Sequence, residues 1–196
     1  GRYYFEGRAA VQSYERAITA LRRAVGLYET HRSRPWNDTE EALPSEGMTV
    51  QAAAGDAMYL LGYAALYGLG TPSENPTEAM TWFRRASMLD HYGATTAMGD
   101  MYTYGLTSDP SGNEAIRAYE RAAKGNQVDA LLSLAGFHRD RGNAAQAQGY
   151  AEEARTHREQ AWKYLAHGAE QGSAEALQGL AAASFFGWGT DPNRDT

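Results

Sequence analysis

Ala57-Met58-Tyr59-Leu60-Leu61-Gly62-Tyr63-Ala64-Ala65-Leu66-Tyr67-Gly68-Leu69-Gly70 decides the fold, because its pattern returns three more times along the chain. Alanine heads each copy, at Ala57, Ala94, Ala130 and Ala176. Four residues later comes an apolar side chain, Leu61, Met98, Leu134 or Leu180, followed by a tiny one, Gly62, Gly99, Ala135 or Ala181. Eleven residues past each head stand Gly68, Gly105, Arg141 and Gly187, and the heads are spaced by 37, 36 and 46 residues. A period in the mid-thirties belongs to helical hairpins that bury their apolar faces only against neighbouring hairpins. The expected fold is therefore all-α, a right-handed α-solenoid of stacked helical hairpins.

A second pattern lies between the heads. It runs Ala79, Trp82, Arg85, Ala86, Ser87, then Ala115, Ala118, Arg121, Ala122, Ala123, then Ala161, Tyr164, His167, Gly168, Ala169. Ala17, Ala20, Arg23, Ala24 and Val25 repeat the spacing near the start, with Gly7 ten residues ahead of them. Residues 1–30 thus read as the end of a truncated first repeat, Gly1 to Gly7 being the tail of its first helix. Residues 31–51 read as an insertion loop. Residues 52–196 read as three repeats plus the first helix of a fourth, with a helical insertion around 143–159.

The joint pattern, Ala-x3-Leu-Gly-x2-Tyr-x2-Gly-x-Gly followed by Ala-x2-Trp-x2-Lys/Arg-Ala-Ala, resembles the Sel-one-like repeat, a relative of the tetratricopeptide repeat. Ala57 to Gly70 with Ala79 to Ser87 is the best copy, though Ala65 stands at the family's Tyr position. The third copy departs further, with His138 and Arg141 at the Tyr and Gly positions. The resemblance implies a scaffold that binds proteins.

Small residues at Gly62, Gly99, Ala135 and Ala181 are expected to let helix backbones approach. Ala57, Leu60, Leu61 and Ala64 fall on one helical face and are expected to meet the core. Gly68 and Gly70 suit left-handed backbone at a helix end, and Pro76 and Pro110 suit the first turn of the next helix. Arg23, Arg85, Arg121 and His167 fall late in each second helix, where a cation complements the dipole by roughly 0.3–1 kcal/mol. Met80, Met88, Met98 and Met101 read as core.

The net charge of −6 argues against nucleic acid and anionic membrane surfaces as partners. No segment reaches the roughly 20 apolar residues of a membrane span, and none is expected to contact a membrane. With no cysteine in the chain, disulfides, thiol catalysis and thiolate-bound metal are excluded. No nucleophile elbow, zinc-binding His-Glu-x2-His or phosphate loop is present. His31, His91, His138, His157 and His167 are scattered over different repeats with no i,i+4 pair. No catalytic residue, cofactor or metal ligand is therefore assigned, and the chain is not expected to be an enzyme.

The insertion loop carries Pro35, Pro44, Gly47 and the only Asn-x-Ser/Thr of the chain, Asn37-Asp38-Thr39, a candidate N-glycosylation site at Asn37. In the second insertion Ala144, Ala145, Ala147, Ala151 and Ala154 favour helix, expected from Ala144 toward Gln171. Tyr59, Tyr63 and Tyr67 recur at i, i+4 and i+8 on one helical face. In hairpin solenoids the first helices line the concave face. Tyr63, Tyr67, Asp100, Tyr104 and Asp140 are the candidate partner-binding residues there, aromatic anchors mixed with acids.

One further likeness bears on compartment. Arg2-Tyr3-Tyr4-Phe5-Glu6-Gly7, then Val11-Gln12-Ser13-Tyr14-Glu15-Arg16-Ala17-Ile18 and a long insertion, resembles part of the luminal adaptor of the ER-associated degradation ubiquitin ligase. Tyr14 stands where that family has a cysteine. The resemblance implies a scaffold in the lumen of the endoplasmic reticulum whose partners are a membrane ubiquitin ligase, luminal lectins and misfolded clients. The alternatives are a structural accessory subunit of a large organellar assembly, with the mitochondrion as its compartment, and a bacterial periplasmic or envelope scaffold.

Overall fold

In the computed structural model the described residues are 2–32, 50–107 and 113–185, and every regular element among them is an α-helix. Asn37, Pro110 and Gly187 lie outside the described residues. The chain divides into two compact units, Gly1–Ala115 and Ile116–Thr196. The first holds α1 (Arg2–Arg32), α2 (Val50–Leu66), α3 (Pro76–Ser87) and α4 (Tyr92–Thr103), each packed on the next. Most of α5 (Asn113–Lys124) lies in the second, with α6 (Val128–Ala147), α7 (Ala151–Glu170) and α8 (Ala174–Phe185). There α6 packs on α7, and α7 on α8.

Helix α1 departs from the repeat pattern. It runs unbroken through Gly7, where a break is expected; a single helical glycine costs only about 1 kcal/mol relative to alanine. Its buried side is Ile18 and Val25, with Leu21 and Tyr28 half-buried, while Ala17, Ala20 and Ala24 are exposed. The alanine register expected from the later repeats is therefore off by one residue. Arg23 consequently sits in mid-helix rather than near an end, unlike Arg85, Arg121 and His167 in the last turns of α3, α5 and α7. Arg85 also reaches across to Glu29 of α1 and stacks over the Trp82 ring at 4.4 Å, so it ties two helices together as well as facing a dipole.

The core of the first unit is built from Ile18, Val25, Met58, Leu61, Met80, Phe83 and Met101 around small alanines. Leu60 is half-exposed, not core: one residue is about 100° of helix, and the buried stripe of α2 is centred on Ala54, Met58, Leu61 and Ala65. Met88 is 69% exposed at the end of α3, so it too falls outside the core.

Gly62 is small for a reason other than backbone contact. A Cβ there would lie 2.4 Å from the Phe83 ring, which is fully buried. In the second unit a Cβ at Gly179 would lie 2.7 Å from Leu165, the residue four past Ala161 as Phe83 is four past Ala79. The expected small residue Ala181 is instead exposed on α8. At both of these places a large side chain, Phe83 or Leu165, and not a close backbone, faces the glycine.

The helix ends are closed by backbone geometry in register with the repeat. Asp90, Asn126 and Gly172 take positive φ of 59°, 56° and 84° after α3, α5 and α7. The next N–H in each case donates back to the carbonyl of Ala86, Ala122 or Gly168, the pattern of a Schellman motif. Gly149, at φ 84°, ends α6 in the same way, with Tyr150 N–H donating to the Ala145 carbonyl at 2.9 Å. This turn splits the helix expected from Ala144 to Gln171 into the last turn of α6 and the whole of α7, two helices of 20 residues each.

The helix starts differ. Asn75 Oδ1 accepts from Glu78 N–H, His91 Nδ1 from Ala94 N–H and Ser173 Oγ from Ala176 N–H, each satisfying a donor that the helix leaves open. Pro76 occupies the first turn of α3, as expected. Gln127 makes no such bond at the head of α6. Gln127→Ser is therefore expected to stabilise the second unit by about 0.5–1 kcal/mol, read as a rise in urea midpoint without a change in slope.

Candidate functional site

Tyr59, Tyr63 and Tyr67 form a ladder along α2. Tyr59 and Tyr63 meet edge to face with centroids 4.8 Å apart and hydroxyls at 3.4 Å, while Tyr63 and Tyr67 are nearly parallel at 5.8 Å. The ladder is anchored at its lower end. Tyr59 stacks on the His91 ring at 4.4 Å, and His91 Nε2 reaches Asp56 at 3.1 Å while its Nδ1 caps α4. An accepting Nδ1 leaves the neutral ring its proton on Nε2, which donates to Asp56. Tyr63 also packs edge-on against Phe83 at 5.3 Å. Burial first, then the Tyr59 hydroxyl and the neighbouring charge of Asp100, hold the Tyr63 phenol well above its ordinary pKa. It stays neutral.

The upper end of the ladder opens into a cleft of about 250 Å³. Tyr63 and Leu66 of α2, with Tyr67 just past its end, form one wall, and Ala97, Asp100 and Met101 of α4 the other. Glu74 from the α2–α3 turn and Pro76 at the head of α3, with Tyr104 and Leu106 after α4, complete its lining. Tyr67 is 58% exposed and Tyr104 75% exposed, so two aromatic rings stand at the rim with little burial of their own.

Four of the five expected partner-binding residues thus share one cleft: Tyr63, Tyr67, Asp100 and Tyr104. Glu74, Leu66, Met101 and Leu106 were not expected there. Only Glu74 left a signal, as an acid in the turn directly after the tyrosine helix.

The Sel1 repeat family matches residues 55–91 and 94–127. The chain carries Sel1 repeats. It is similar in structure to a Sel1 repeat protein from Oxalobacter formigenes, at 24% identity and a TM-score of 0.57, over 89% of this chain and 66% of that one. A second likeness is to c5321, described as a protective antigen present in uropathogenic Escherichia coli strains displaying an SLR fold. It has 17% identity and a TM-score of 0.42, over 72% of this chain and 37% of that one. The chain therefore spans less than two thirds of the length of either. No curated protein matches the chain. The fold class is that of the all-α Sel1-type solenoid, and repeats of this kind serve in general as protein-binding scaffolds.

The cleft is built across consecutive Sel1 repeats. Tyr63, Tyr67 and Glu74 come from the first matched repeat, Asp100 and Tyr104 from the second. Asp140 lies beyond both, on α6 of the second unit, exposed and paired with its neighbour Arg139 at 2.9 Å. The second unit has its own groove of about 330 Å³ between α6, α7 and α8. Its walls are Leu132, Gly136, Leu165 and Gly179 with Arg139, Arg158 and Glu175; Asp140 is not among them. That groove holds no aromatic residue and charges of both signs, so it lacks the anchors that the first-unit cleft has.

The α6–α7 hairpin of this Sel1-repeat chain does one thing that spacing did not indicate. It brings His138 and His157 together with Nδ1 atoms 3.0 Å apart, beside Tyr164, whose ring stacks on His138 at 5.7 Å. A separation of 19 residues hides such a pair from any i,i+4 search. Among the described residues no three His, Cys, Asp or Glu side chains gather as metal ligands. Burial first, then the His157 ring and the Arg141 charge, lower the His138 pKa from its ordinary 6.5. His157 Nε2 faces Glu153 at 3.8 Å.

The consequence is a pH dependence with a definite sign. Below about pH 6.5 the unfolded chain binds a proton at His138 that the folded hairpin refuses until lower pH. Stability is thus expected to be complete above that pH and to fall as pH drops through it toward the folded value. Urea melts at pH 7.5, 6.5 and 5.5 check this, and His138→Gln should flatten the trend.

Proposed function

We propose that the chain is a non-catalytic protein-interaction scaffold that grips partner segments in the cleft between α2 and α4. The observation that carries this reading is the convergence of Tyr63, Tyr67, Tyr104 and Asp100, from two consecutive repeats, on one cleft with exposed tyrosines at its rim. Tyrosine is enriched among residues that dominate binding energy. Removing Tyr67 and Tyr104 together should weaken partner capture at least about ten-fold with no loss of melting temperature, since both are largely exposed. Tyr63→Ala is a poorer test, because its ring packs on Phe83 and its loss would also destabilise the fold. Undiminished capture by Tyr67→Ala/Tyr104→Ala would remove this cleft from the account.

The finer assignment is a glycosylated luminal adaptor of an ER-associated degradation ubiquitin ligase, receiving clients and lectins in the endoplasmic reticulum. It is supported by the likeness of residues 2–18 and by the Asn37 sequon. Pull-down of the full-length protein, with mass spectrometry before and after glycosidase, tests it. Recovery of a membrane ubiquitin ligase with a mass loss at the Asn37 peptide is the expected result. An unmodified Asn37 in a stoichiometric mitochondrial or bacterial envelope complex would replace that assignment with a structural subunit.

A further inference from the structure

The α6–α7 hairpin sets two imidazole nitrogens at a metal-binding separation. His138 Nδ1 and His157 Nδ1 are 3.0 Å apart, on helices joined by the tight turn at Gly149. The approach of the two helices is built into the sequence. Gly142 stands one turn past His138, and a Cβ there would lie 3.2 Å from the Ala154 carbonyl oxygen and 3.4 Å from the His157 Cβ. On α7, Glu153 stands one turn before His157, with a carboxylate oxygen 3.8 Å from its Nε2. That negative charge favours the His157 tautomer with its proton on Nε2, which leaves Nδ1 as an acceptor. In the metal-free hairpin His138 Nδ1–H then donates to it.

We infer that this pair is a two-histidine site for a divalent transition-metal ion, with copper(II) the ion its geometry fits best. At the roughly 2.0–2.1 Å of a metal–imidazole bond, an ion shared by nitrogens 3.0 Å apart subtends an angle of about 90–100°. That is a cis pair in a square-planar or tetragonal set, the preference of copper(II) and nickel(II), and it is narrower than the tetrahedral angle of structural zinc. Copper(II) also heads the affinity order of the divalent ions. Binding moves the His138 proton from Nδ1 to Nε2, so both rings stay neutral and each gives one lone pair to the ion. Glu153 serves as the outer carboxylate that orients the His157 ring. Among the described residues no third His, Cys, Asp or Glu completes the set, so water takes the remaining positions. Both rings are half-buried and keep some contact with solvent. The Arg141 charge acts on His138 and opposes the ion, while Glu153 offsets it. The site shares no residue with the α2–α4 cleft, and its ion joins α6 to α7.

The test is titration of the 196-residue chain with copper(II) chloride, read by thermal melts and by pulsed EPR, which counts the imidazoles on the ion. The expected result is one site per chain with two coordinated imidazoles, and a melting temperature that rises with copper. His138→Gln and His157→Gln should each weaken binding at least about ten-fold, since losing even an outer partner of a metal site costs that much. Glu153→Gln should weaken it in the same direction, and Arg141→Gln, which removes the opposing charge, should strengthen it. Glu153 and Arg141 are exposed, so these two variants test the site even where a histidine variant fails to fold. A single coordinated imidazole would overturn the inference. So would copper affinity in His138→Gln/His157→Gln equal to that of the parent chain, or affinity indifferent to both Glu153→Gln and Arg141→Gln.

Discussion

Phe83→Ala is expected to lower the unfolding free energy of the chain by about 3–5 kcal/mol, the largest effect of any single substitution considered. The ring is wholly buried, touches Tyr59 and Tyr63, and fills the space left by Gly62. The converse change, Gly62→Ala, places a methyl group 2.4 Å from that ring and should cost about 1–3 kcal/mol. The two sites are directly coupled, so the penalty of Gly62→Ala should shrink in a Phe83→Leu background. A double-mutant cycle by urea denaturation measures this. Additive effects would mean that Gly62 is small for a reason unrelated to Phe83.

Gly70→Ala is expected to cost about 2–4 kcal/mol, because two separate penalties fall on one position. Its φ is +68°, and a Cβ would stand 2.9 Å from the Glu15 backbone nitrogen and the Tyr14 Cβ of α1. Two other glycines separate the terms. Gly105 has φ +66° with nothing within 4 Å, so Gly105→Ala should show the backbone penalty alone, about 1–2 kcal/mol. Gly26 lies in mid-helix with open space around it, and Gly26→Ala should stabilise by about 0.5–1 kcal/mol. Thermal melts of the three variants should rank in that order. Equal losses at Gly70 and Gly105 would mean that α1 does not press on the turn.

The same residues mark how far the sequence carries. A fixed period of alanine, apolar and tiny residues is a statement about stacked hairpins, so the fold class and the glycine turns at Gly68, Gly70 and Gly105 were legible from spacing. The partner of each small residue was not. Nothing local distinguishes Gly62 against a ring from Gly62 against a backbone, since the answer depends on Phe83, 21 residues away. In α1 the alanine spacing misled, because alanine buries so little surface that Ile18 and Val25 set the helix rotation instead.

The candidate site was legible in its aromatic part, as three tyrosines at i, i+4 and i+8 announce a face. Its boundary was not, because Glu74 enters from a turn and Leu106 from beyond α4. Asp140 was linked to the tyrosines only by its place in the repeat. The structure puts it in the other unit, against Arg139. His138 and His157 show the converse, two unremarkable positions that a long hairpin makes neighbours.

The central claim is that partners enter between α2 and α4, and site-specific photocrosslinking tests it most directly. A benzophenone amino acid in place of Tyr104 stands at the rim of the cleft. The same group in place of Tyr150, 57% exposed at the α6–α7 turn, is the control. The account predicts partner adducts from position 104 that disappear in the Tyr67→Ala background, and none from position 150. Adducts from position 150 alone, or equally from both, would contradict it.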